Sequence, residues 1–430
     1  MSAKRIGVVG STAIGLVLAG STAAQNYRLS AEPVIELTED VESYQLAGER
    51  VVCAIRLRDS YASSSRVRIW SARVDGSGSF LVHEDLKNDM GGWQLSPDGQ
   101  WIAIGLDARV RILRSDGSSF HDIAAHELQG LNVFDLVISP DSKRVVFRAG
   151  REPSSPGSTI ALFSARLDGT ERIIELNGAL APGNEVTGFR MSADGARVAY
   201  LSDEDERGTG IGLFTTPIDR REPRGPLNDY PSYRIPKFEF SHDGETVAFV
   251  EDYVYVSALW VAPTDSSGLA VVRSAPGYFK VPDFVFSPSD THLWYDTYNY
   301  SPLLPHIVSV RTGEDRLFTD SNLRFAADGE HIFYHRDGEL VRDSVAGGEP
   351  KRLHPSFGAF ELSPGDRTIV FAAMPNAIHA VPSDGSRAPL LSTHGEGAHS
   401  GSHPMRGGCS MRPMAISTPS PSMAPRRPCA

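Results

Sequence analysis

Cysteine is scarce in this sequence of 430 residues. Three cysteines occur, Cys53, Cys409 and Cys429, and the last two lie in a C-terminal tail of unusual composition. Small secreted domains that depend on disulfides carry many more cysteines at regular spacings. The count excludes a disulfide framework as the basis of the fold, and Cys53 is the single thiol in the body of the chain.

Positive charge is also in deficit. The chain has 42 Lys and Arg residues against 53 Asp and Glu residues, a formal net charge of −11. A surface of this sign repels phosphate backbones and anionic lipid headgroups. We therefore predict no nucleic-acid partner.

Long apolar runs are missing beyond the N terminus. The run at residues 6–20 is shorter than the about 20 residues that a membrane-spanning helix needs. Lys4 and Arg5 precede it and the small residues 21–24 follow it, the layout of a secretory signal cleaved after Ala24. We predict a signal peptide over 1–24, a lead-in over 25–43, no stable membrane anchor after cleavage, and a periplasmic or secreted protein.

Common catalytic and cofactor motifs are absent as well. The sequence contains no Gly-x-Ser-x-Gly nucleophile elbow, no His-Glu-x-x-His, no Cys-x-x-Cys pair and no Gly-x-Gly-x-x-Gly turn. Each of these spacings places a nucleophile, a metal ligand or a phosphate-binding backbone at a defined point of a fold. We predict no catalytic, cofactor-binding or metal residues, which favours a protein that is not an enzyme.

A repeat organises what is present. An apolar residue leads into a turn resembling Ser-Pro-Asp-Gly, and a short β-rich run follows, as in Ser96-Pro97-Asp98-Gly99. Asp and Gly favour tight turns because Asp bonds nearby backbone and Gly accepts positive φ. We interpret the repeated aspartates as turn formers rather than acid/base groups. The Ser-equivalent positions of the seven copies are Ser96, Ser139, Ser192, Ser241, Ser287, Ala326 and Ser363.

Each copy also has a second half, an alternating run that ends in another turn. Examples are the runs before Asp75-Gly76, Asp168-Gly169 and Asp384-Gly385. Asp-Gly between alternating runs is a strong hairpin signal, so each unit is predicted to form four short antiparallel strands. Residues 44–92 form a first unit without the Ser-Pro-Asp signature. A long repeat of this kind predicts an all-β fold, a β-propeller of about seven to nine four-stranded antiparallel blades over 44–391.

The repeats resemble the WD40-like repeats of TolB-type propellers, which also occur as the propeller domain of prolyl oligopeptidase-like enzymes. The resemblance covers about residues 44–391. It implies the propeller fold, but it does not choose between binding proteins and enzymes, since both use this repeat.

The tail over 392–430 breaks the repeat, and its composition is that of a low-complexity, disordered segment. A second interpretation is that it is a blade read in the wrong frame. If each codon combines the last base of one residue with the first two bases of the next, Met414-Ala415 and Met423-Ala424 must both encode Gly. The junctions between them allow Asp-Ile-Tyr-Thr-Val-Ser-Ile-Asp, and residues 401–405 allow Phe-Ser-Pro-Asp. In that case the native chain is longer.

A binding site is expected where the loops vary. The Ser-Pro-Asp-Gly turns stay tight in every copy, whereas the loops between the second and third strands vary and emerge on the opposite face. Two segments rich in tyrosine lie on that side, and Tyr and Arg supply rigid contact area for peptides or sugars. The alternative is that these rings cap the blade cores. The candidate residues are Tyr230, Tyr233, Arg234, Tyr295, Tyr298 and Tyr300.

The function predicted from these observations is an exported, non-catalytic binding scaffold with a protein or peptide partner on the variable-loop face. An alternative is the propeller part of a prolyl oligopeptidase-like serine hydrolase whose catalytic region is missing from this chain. A propeller lyase is a further alternative, and it requires His, Arg and metal ligands to converge in the central funnel. We interpret His242, His292, His331 and His379 as structural residues instead.

Overall fold

The computed structural model describes residues 41–394 apart from a set of short gaps. The gaps are 58–65, 88–91, 125, 152–156, 204–209, 221–224, 229–233, 253–256, 266, 268–270, 273–279, 299–303, 319–322, 356–358, 364, 374–376 and 387–390. The described residues form eight antiparallel sheets of four strands each, with no helix among them. This confirms the all-β propeller architecture, with eight blades in the described part of the chain.

Each blade is a meander, because strands that follow one another in the chain pair side by side. The strands of blades 1 to 4 are β1 Val41–Ala47, β2 Arg50–Leu57, β3 Arg66–Arg73 and β4 Phe80–Lys87; β5 Trp93–Leu95, β6 Trp101–Leu106, β7 Arg109–Arg114 and β8 Phe120–Ile123; β9 Asn132–Ile138, β10 Arg144–Gly150, β11 Ile160–Arg166 and β12 Ile174–Glu175; β13 Val186–Met191, β14 Arg197–Ser202, β15 Gly212–Pro217 and β16 Gly225–Pro226.

The strands of blades 5 to 8 are β17 Arg234–Phe240, β18 Thr246–Asp252, β19 Ser257–Pro263 and β20 Val271–Val272; β21 Phe284–Phe286, β22 His292–Thr297, β23 Leu304–Ser309 and β24 Asp315–Leu317; β25 Arg324–Phe325, β26 His331–Arg336, β27 Glu339–Ser344 and β28 Lys351–Pro355; β29 Phe360–Leu362, β30 Thr368–Ala373, β31 Ala377–Pro382 and β32 Leu391–His394.

The outer bounds of the sheets differ slightly from the sequence-based ones. Strand β1 begins at Val41, inside the predicted lead-in, because Val41 still pairs with Ile55 across a bulge. Strand β32 ends at His394, inside the predicted tail, and pairs with β31. The paired region therefore extends a little beyond 44–391 at both ends.

The hydrophobic core is divided into seven clusters, and each cluster joins two consecutive blades. Val52 and Ile69 of blade 1, for example, pack with Ile102 and Ile104 of blade 2, and all four are fully buried. A fully buried aliphatic side chain contributes about 1.5–3 kcal/mol. The six further clusters join blades 2 and 3, 3 and 4, 4 and 5, 5 and 6, 6 and 7, and 7 and 8.

A stacked ring pair recurs between the second and third strands of several blades. Phe147 of β10 stacks on Phe163 of β11, with ring centroids 5.6 Å apart. The first ring of each pair is fully buried or nearly so, and stacking adds about 0.5–1.5 kcal/mol to the gain from burial. The same arrangement is made by Tyr200 with Phe214, Phe249 with Trp260, Tyr295 with His306, and Phe371 with His379.

Candidate functional site

The face that carries the Ser-Pro-Asp-Gly turns is built from local hydrogen bonds. In blade 2 the Ser96 hydroxyl donates to Asp98 Oδ1 at 2.5 Å and accepts from Trp101 N at 2.9 Å. Asp98 Oδ1 also accepts from Gln100 N at 2.9 Å. The Ser-to-Asp hydrogen bond recurs in blades 3, 4 and 5. The interpretation of these aspartates as turn formers is confirmed, because their carboxylates already bond to the turn.

The opposite face carries the connections between the second and third strands of each blade. Blades 2 and 7 close this connection with two-residue turns, in which Ala108, Asp337 and Gly338 adopt positive φ. The longer connections belong to blades 1, 3, 4 and 6. Much of their length lies outside the described residues, so the strand ends that support them define the candidate site.

The six predicted binding residues have different places. Tyr230, Tyr233 and Tyr300 lie outside the described residues. Arg234 begins β17 and is exposed, and Tyr298, which follows β22, is 46% exposed.

Tyr295 differs from its predicted neighbour Tyr298. Its side chain is 0% exposed and stacks on His306, with centroids 4.8 Å apart. It is the blade 6 member of the repeated ring pairs, so it belongs to the core, as in the alternative that these rings cap the blades. The repeat contained the signal for this placement, because Tyr295 corresponds in register to Phe147, Tyr200 and Phe249.

Arg234 and Tyr298 are joined into one surface by two residues that the sequence analysis did not identify. Arg234 pairs across the sheet with Asp252, the last residue of β18. Asp252 Oδ1 lies 3.4 Å from Lys280 Nζ. Lys280 and Tyr298 exchange two backbone hydrogen bonds, of 3.0 and 2.8 Å. We call Arg234, Asp252, Lys280 and Tyr298 the blade 5–6 surface.

A second set of charges lies next to this surface, where the innermost strands of blades 5 and 6 meet. Lys237 Nζ pairs with the Asp283 carboxylate, donates to Phe284 O at 2.7 Å, and lies 4.8 Å from the centre of the Phe284 ring. Burial, together with the nearby Asp283 carboxylate, raises the pKa of Asp296 above its usual range. The site therefore holds a carboxyl group whose proton uptake occurs at higher pH than that of an ordinary aspartate.

Blade 6 also contains a buried hydroxyl and a buried imidazole that are linked by hydrogen bonds to the carboxylate of the exposed residue Asp315. Thr297 Oγ1 lies 3.2 Å from His306 Nε2, and His306 Nδ1 lies 3.0 Å from Asp315 Oδ2. The order of groups is that of a nucleophilic triad. Thr297 is 2% exposed and also donates to Leu304 O at 3.3 Å. A hydroxyl without access to substrate serves to satisfy buried polar groups, so we interpret this set as structural.

The four histidines considered for a lyase site contact four separate partners. His242 Nδ1 lies 2.7 Å from Asp290 Oδ1, His331 Nδ1 lies 2.7 Å from Asp328 Oδ2, and His292 Nδ1 lies 2.9 Å from the Thr291 hydroxyl. The imidazole of His379 stacks on Phe371. Within the described ranges, no group of three or more His, Cys, Asp or Glu side chains is arranged to hold a metal ion.

No helix with the length and apolar character of a membrane span occurs in the part of the chain that the structure describes.

Comparison with solved structures finds similar folds at low sequence identity. Dipeptidyl peptidase 4 from Porphyromonas gingivalis is 10% identical, with a TM-score of 0.52 over 79% of this chain and 57% of that chain. A eukaryotic initiation factor is 12% identical, with a TM-score of 0.50 over 83% of this chain and 88% of that chain. TolB from Acinetobacter baumannii is 14% identical, with a TM-score of 0.30 over 78% of each chain.

Structural similarity at such low sequence identity shows that the folds are alike and shows nothing about function. No protein-family model matches the chain, and no curated protein matches it in sequence. This chain spans a little over half the length of the dipeptidyl peptidase. The described residues form a β-propeller of eight repeated four-stranded sheets.

Proposed function

We propose that the protein is an exported, non-catalytic scaffold that binds a protein or peptide partner on its variable-loop face. The observation that carries the proposal is the blade 5–6 surface, where two segments that are distant in sequence contribute an exposed Arg234 and a 46% exposed Tyr298. Tyr and Arg are enriched among the few residues that dominate the energetics of protein interfaces. The ion pair of Lys280 and Asp252 holds the two segments together.

The charge of the surface also supports a peptide or protein partner. Arg234 and Lys280 supply cations and Asp252 supplies an anion, so the surface that includes Tyr298 carries charges of both signs. Such mixed rims are typical of interfaces that select partners by complementary charge. The net charge of −11 favours neither nucleic acid nor anionic membranes as the partner.

Export is proposed on the basic, apolar and small-residue layout of residues 1–24. It is tested by expressing the full chain in a bacterium, fractionating the cells and determining the N terminus by mass spectrometry. We expect a mature chain that begins at Gln25 in the periplasm or the medium. An uncleaved chain in the cytoplasm would reject this part of the proposal.

Binding is tested by photo-crosslinking in the expressing cells. A photoreactive amino acid is placed at Tyr298 in one full-length chain, and at Phe120 in a matched control, because Phe120 is 62% exposed on the outermost strand of blade 2. We expect a discrete adduct from position 298 that weakens when Arg234 is changed to Ala. Two outcomes contradict binding at this surface: equal adduct yields from positions 298 and 120, or an adduct yield from position 298 that Arg234→Ala does not change.

A second candidate function is the propeller part of a serine hydrolase of the prolyl oligopeptidase type. It is favoured by the similarity to a dipeptidyl peptidase of which this chain covers 57%. Sequencing the gene beyond codon 430 tests it. An open frame with Gly-x-Ser-x-Gly supports a peptidase, whereas a stop codon soon after the last blade contradicts it.

A further inference from the structure

One face of blade 8 lacks the cover that the corresponding face has in other blades. Val370 lies in the middle of β30, and it is 39% exposed. Its equivalents in blades 1 to 5 are 0% exposed, and each belongs to a cluster that joins its own blade to the next one, whereas the blade 6 equivalent, Trp294, is half-buried against the blade 6–7 cluster. The equivalents in blades 1 to 5 are Val52, Ala103, Val146, Ala199 and Ala248.

The direction of this face follows from the neighbours of Val370 in the strand. Ile369 and Phe371 are buried against Phe333 and Leu340 of blade 7. Side chains alternate across a strand, so Val370 points away from blade 7, towards the position that a following blade would occupy.

In blades 1 and 2 a glutamine of the innermost strand bonds to the next blade, whereas the equivalent Val137 and Val285 of blades 3 and 6 are exposed. Gln45 in blade 1 accepts a hydrogen bond from Leu95 N of blade 2 at 2.7 Å, and Gln94 in blade 2 accepts one from Ile138 N of blade 3 at 2.6 Å. Glu361 holds the equivalent position in blade 8, because it pairs with Val370. Glu361 is exposed, and no partner for its carboxylate is found among the described residues.

Blade 1 has an exposed strip at the other end of the array. Tyr44 and Leu46 of β1 are 40% and 37% exposed, and they lie on the opposite face from Val52. On the same face the next strand buries Cys53 and Ile55, so the exposed strip is confined to the innermost strand. Blade 8 thus exposes residues on the face that would contact a following blade. Blade 1 exposes residues on the face that would contact a preceding blade.

We infer that both strips are covered by a ninth blade, which the gene encodes over codons 401–430 in a shifted reading frame. The codons of the tail support this assignment. Met is always ATG and Ala always begins with GC, so the shifted codon at Met414-Ala415 and at Met423-Ala424 is GGC, which encodes Gly. An alternating run that allows Asp-Ile-Tyr-Thr-Val-Ser-Ile-Asp ends at the second forced glycine.

That alternating run has the form of a third strand with its following turn. The structure shows the same form in blade 3, where β11 leads into Asp168 and Gly169, and Gly169 has a φ of +69°. The Phe-Ser-Pro-Asp that residues 401–405 allow takes the place of a first turn such as Ser363 to Asp366. Both turns of a blade are therefore present in the shifted frame, in the correct order.

The test uses two full-length chains, the 430-residue chain and a corrected chain in which a single base is inserted or deleted between codons 392 and 401. Each carries Val370→Cys, and Cys409 and Cys429 of the uncorrected chain are changed to Ser. We expect a maleimide to label position 370 rapidly in the uncorrected chain and about tenfold more slowly in the corrected chain, since labelling of covered sites requires opening. Leu317→Cys, at a position that is 56% exposed on β24, is the control and labels equally in both.

Equal labelling at position 370 in the two chains overturns the inference. Slow labelling of the uncorrected chain that depends on its concentration assigns the face to a second copy instead, and also overturns it. If the corrected chain does not fold, resequencing of the gene decides: a single-base insertion or deletion between codons 392 and 401 supports the ninth blade, and the present frame in independent isolates rejects it.

Discussion

The carboxylate of Asp290 in blade 6 accepts hydrogen bonds from the backbone N–H groups of His242 and Asp243 in blade 5, both at 2.9 Å. Asp290 has a φ of +57° and stands where other blades have the glycine of the repeated turn. Ser142 and Asp366 stand at the same position in blades 3 and 8, also at positive φ, and accept from Asp98 N and Ala327 N respectively. The fourth position of the repeated turn is Gly in most blades. Where it is Ser or Asp instead, its side chain accepts a backbone hydrogen bond from the preceding blade and so links the two blades.

Replacing Asp290 with Ala is expected to destabilise the protein by about 1–3 kcal/mol, because two backbone donors lose their acceptor and Ala is strained at positive φ. Asp290→Asn is the comparison variant and should lose less, since Asn tolerates this conformation and keeps one of the two acceptor oxygens. The free energy of unfolding is measured by urea denaturation. Equal losses for both variants would show that the hydrogen bonds between blades contribute little.

Gly99 tests how closely consecutive turns approach. A Cβ atom at Gly99 would lie 2.5 Å from the backbone oxygen of Ala47, whereas a Cβ at Gly130 would meet nothing within 4 Å, and both glycines have positive φ. Gly130→Ala is expected to cost about 1–2 kcal/mol for the backbone conformation alone. Gly99→Ala should cost clearly more in the same thermal unfolding experiment, and similar costs would contradict the close approach of blades 1 and 2.

Tyr295 and Tyr298 are expected to respond in opposite ways to truncation. Tyr295→Ala removes a fully buried ring and should destabilise the fold by about 3–5 kcal/mol. Tyr298→Ala changes an exposed ring and should alter stability by no more than about 0.5 kcal/mol. Chemical denaturation of both variants checks this. Equal losses of stability in the two variants would contradict the difference in burial between the two rings.

Asp296 should make the protein more stable as the pH falls from neutral. Its raised pKa in the folded state means that folding favours the protonated carboxyl. This contribution is complete below the unfolded pKa of about 3.9 and is lost as the pH rises through the folded pKa. Asp296→Asn should therefore raise the melting temperature at pH 7, and the difference should shrink as the pH falls and disappear well below about pH 4. A difference that grows towards acid pH would contradict the assignment.

Cys53 is expected to be unreactive in the folded protein. Burial raises the pKa of its thiol to about 11, and its side chain is 5% exposed. At about pH 8 the thiolate, which is the nucleophile, is scarce and inaccessible. In a chain with Cys409 and Cys429 changed to Ser, iodoacetamide at this pH should modify Cys53 in urea but not in buffer. Rapid modification in buffer would indicate that blade 1 opens.

The sequence by itself determined the fold and the approximate number of repeats. Ser96, Asp98 and Trp101 lie within six residues, and their hydrogen bonds depend on local geometry, so each turn can be recognised in a short segment. Seven copies of the Ser-Pro-Asp-Gly-like turn, preceded by one unit that lacks this turn sequence, were enough to predict a propeller. The recurring first ring of each stacked pair could be recognised too, once the repeats were aligned.

Tertiary structure alone decided which residues share the candidate site. Asp252 and Lys280 meet because blades 5 and 6 pack together, and nothing in their local sequence indicates an ion pair. Tyr295 and Tyr298 lie in one short segment, yet one is buried in the core and the other faces solvent. Hydrogen bonds within a turn depend on local geometry, whereas contacts between blades depend on how the whole array packs, and that information is spread over distant parts of the chain.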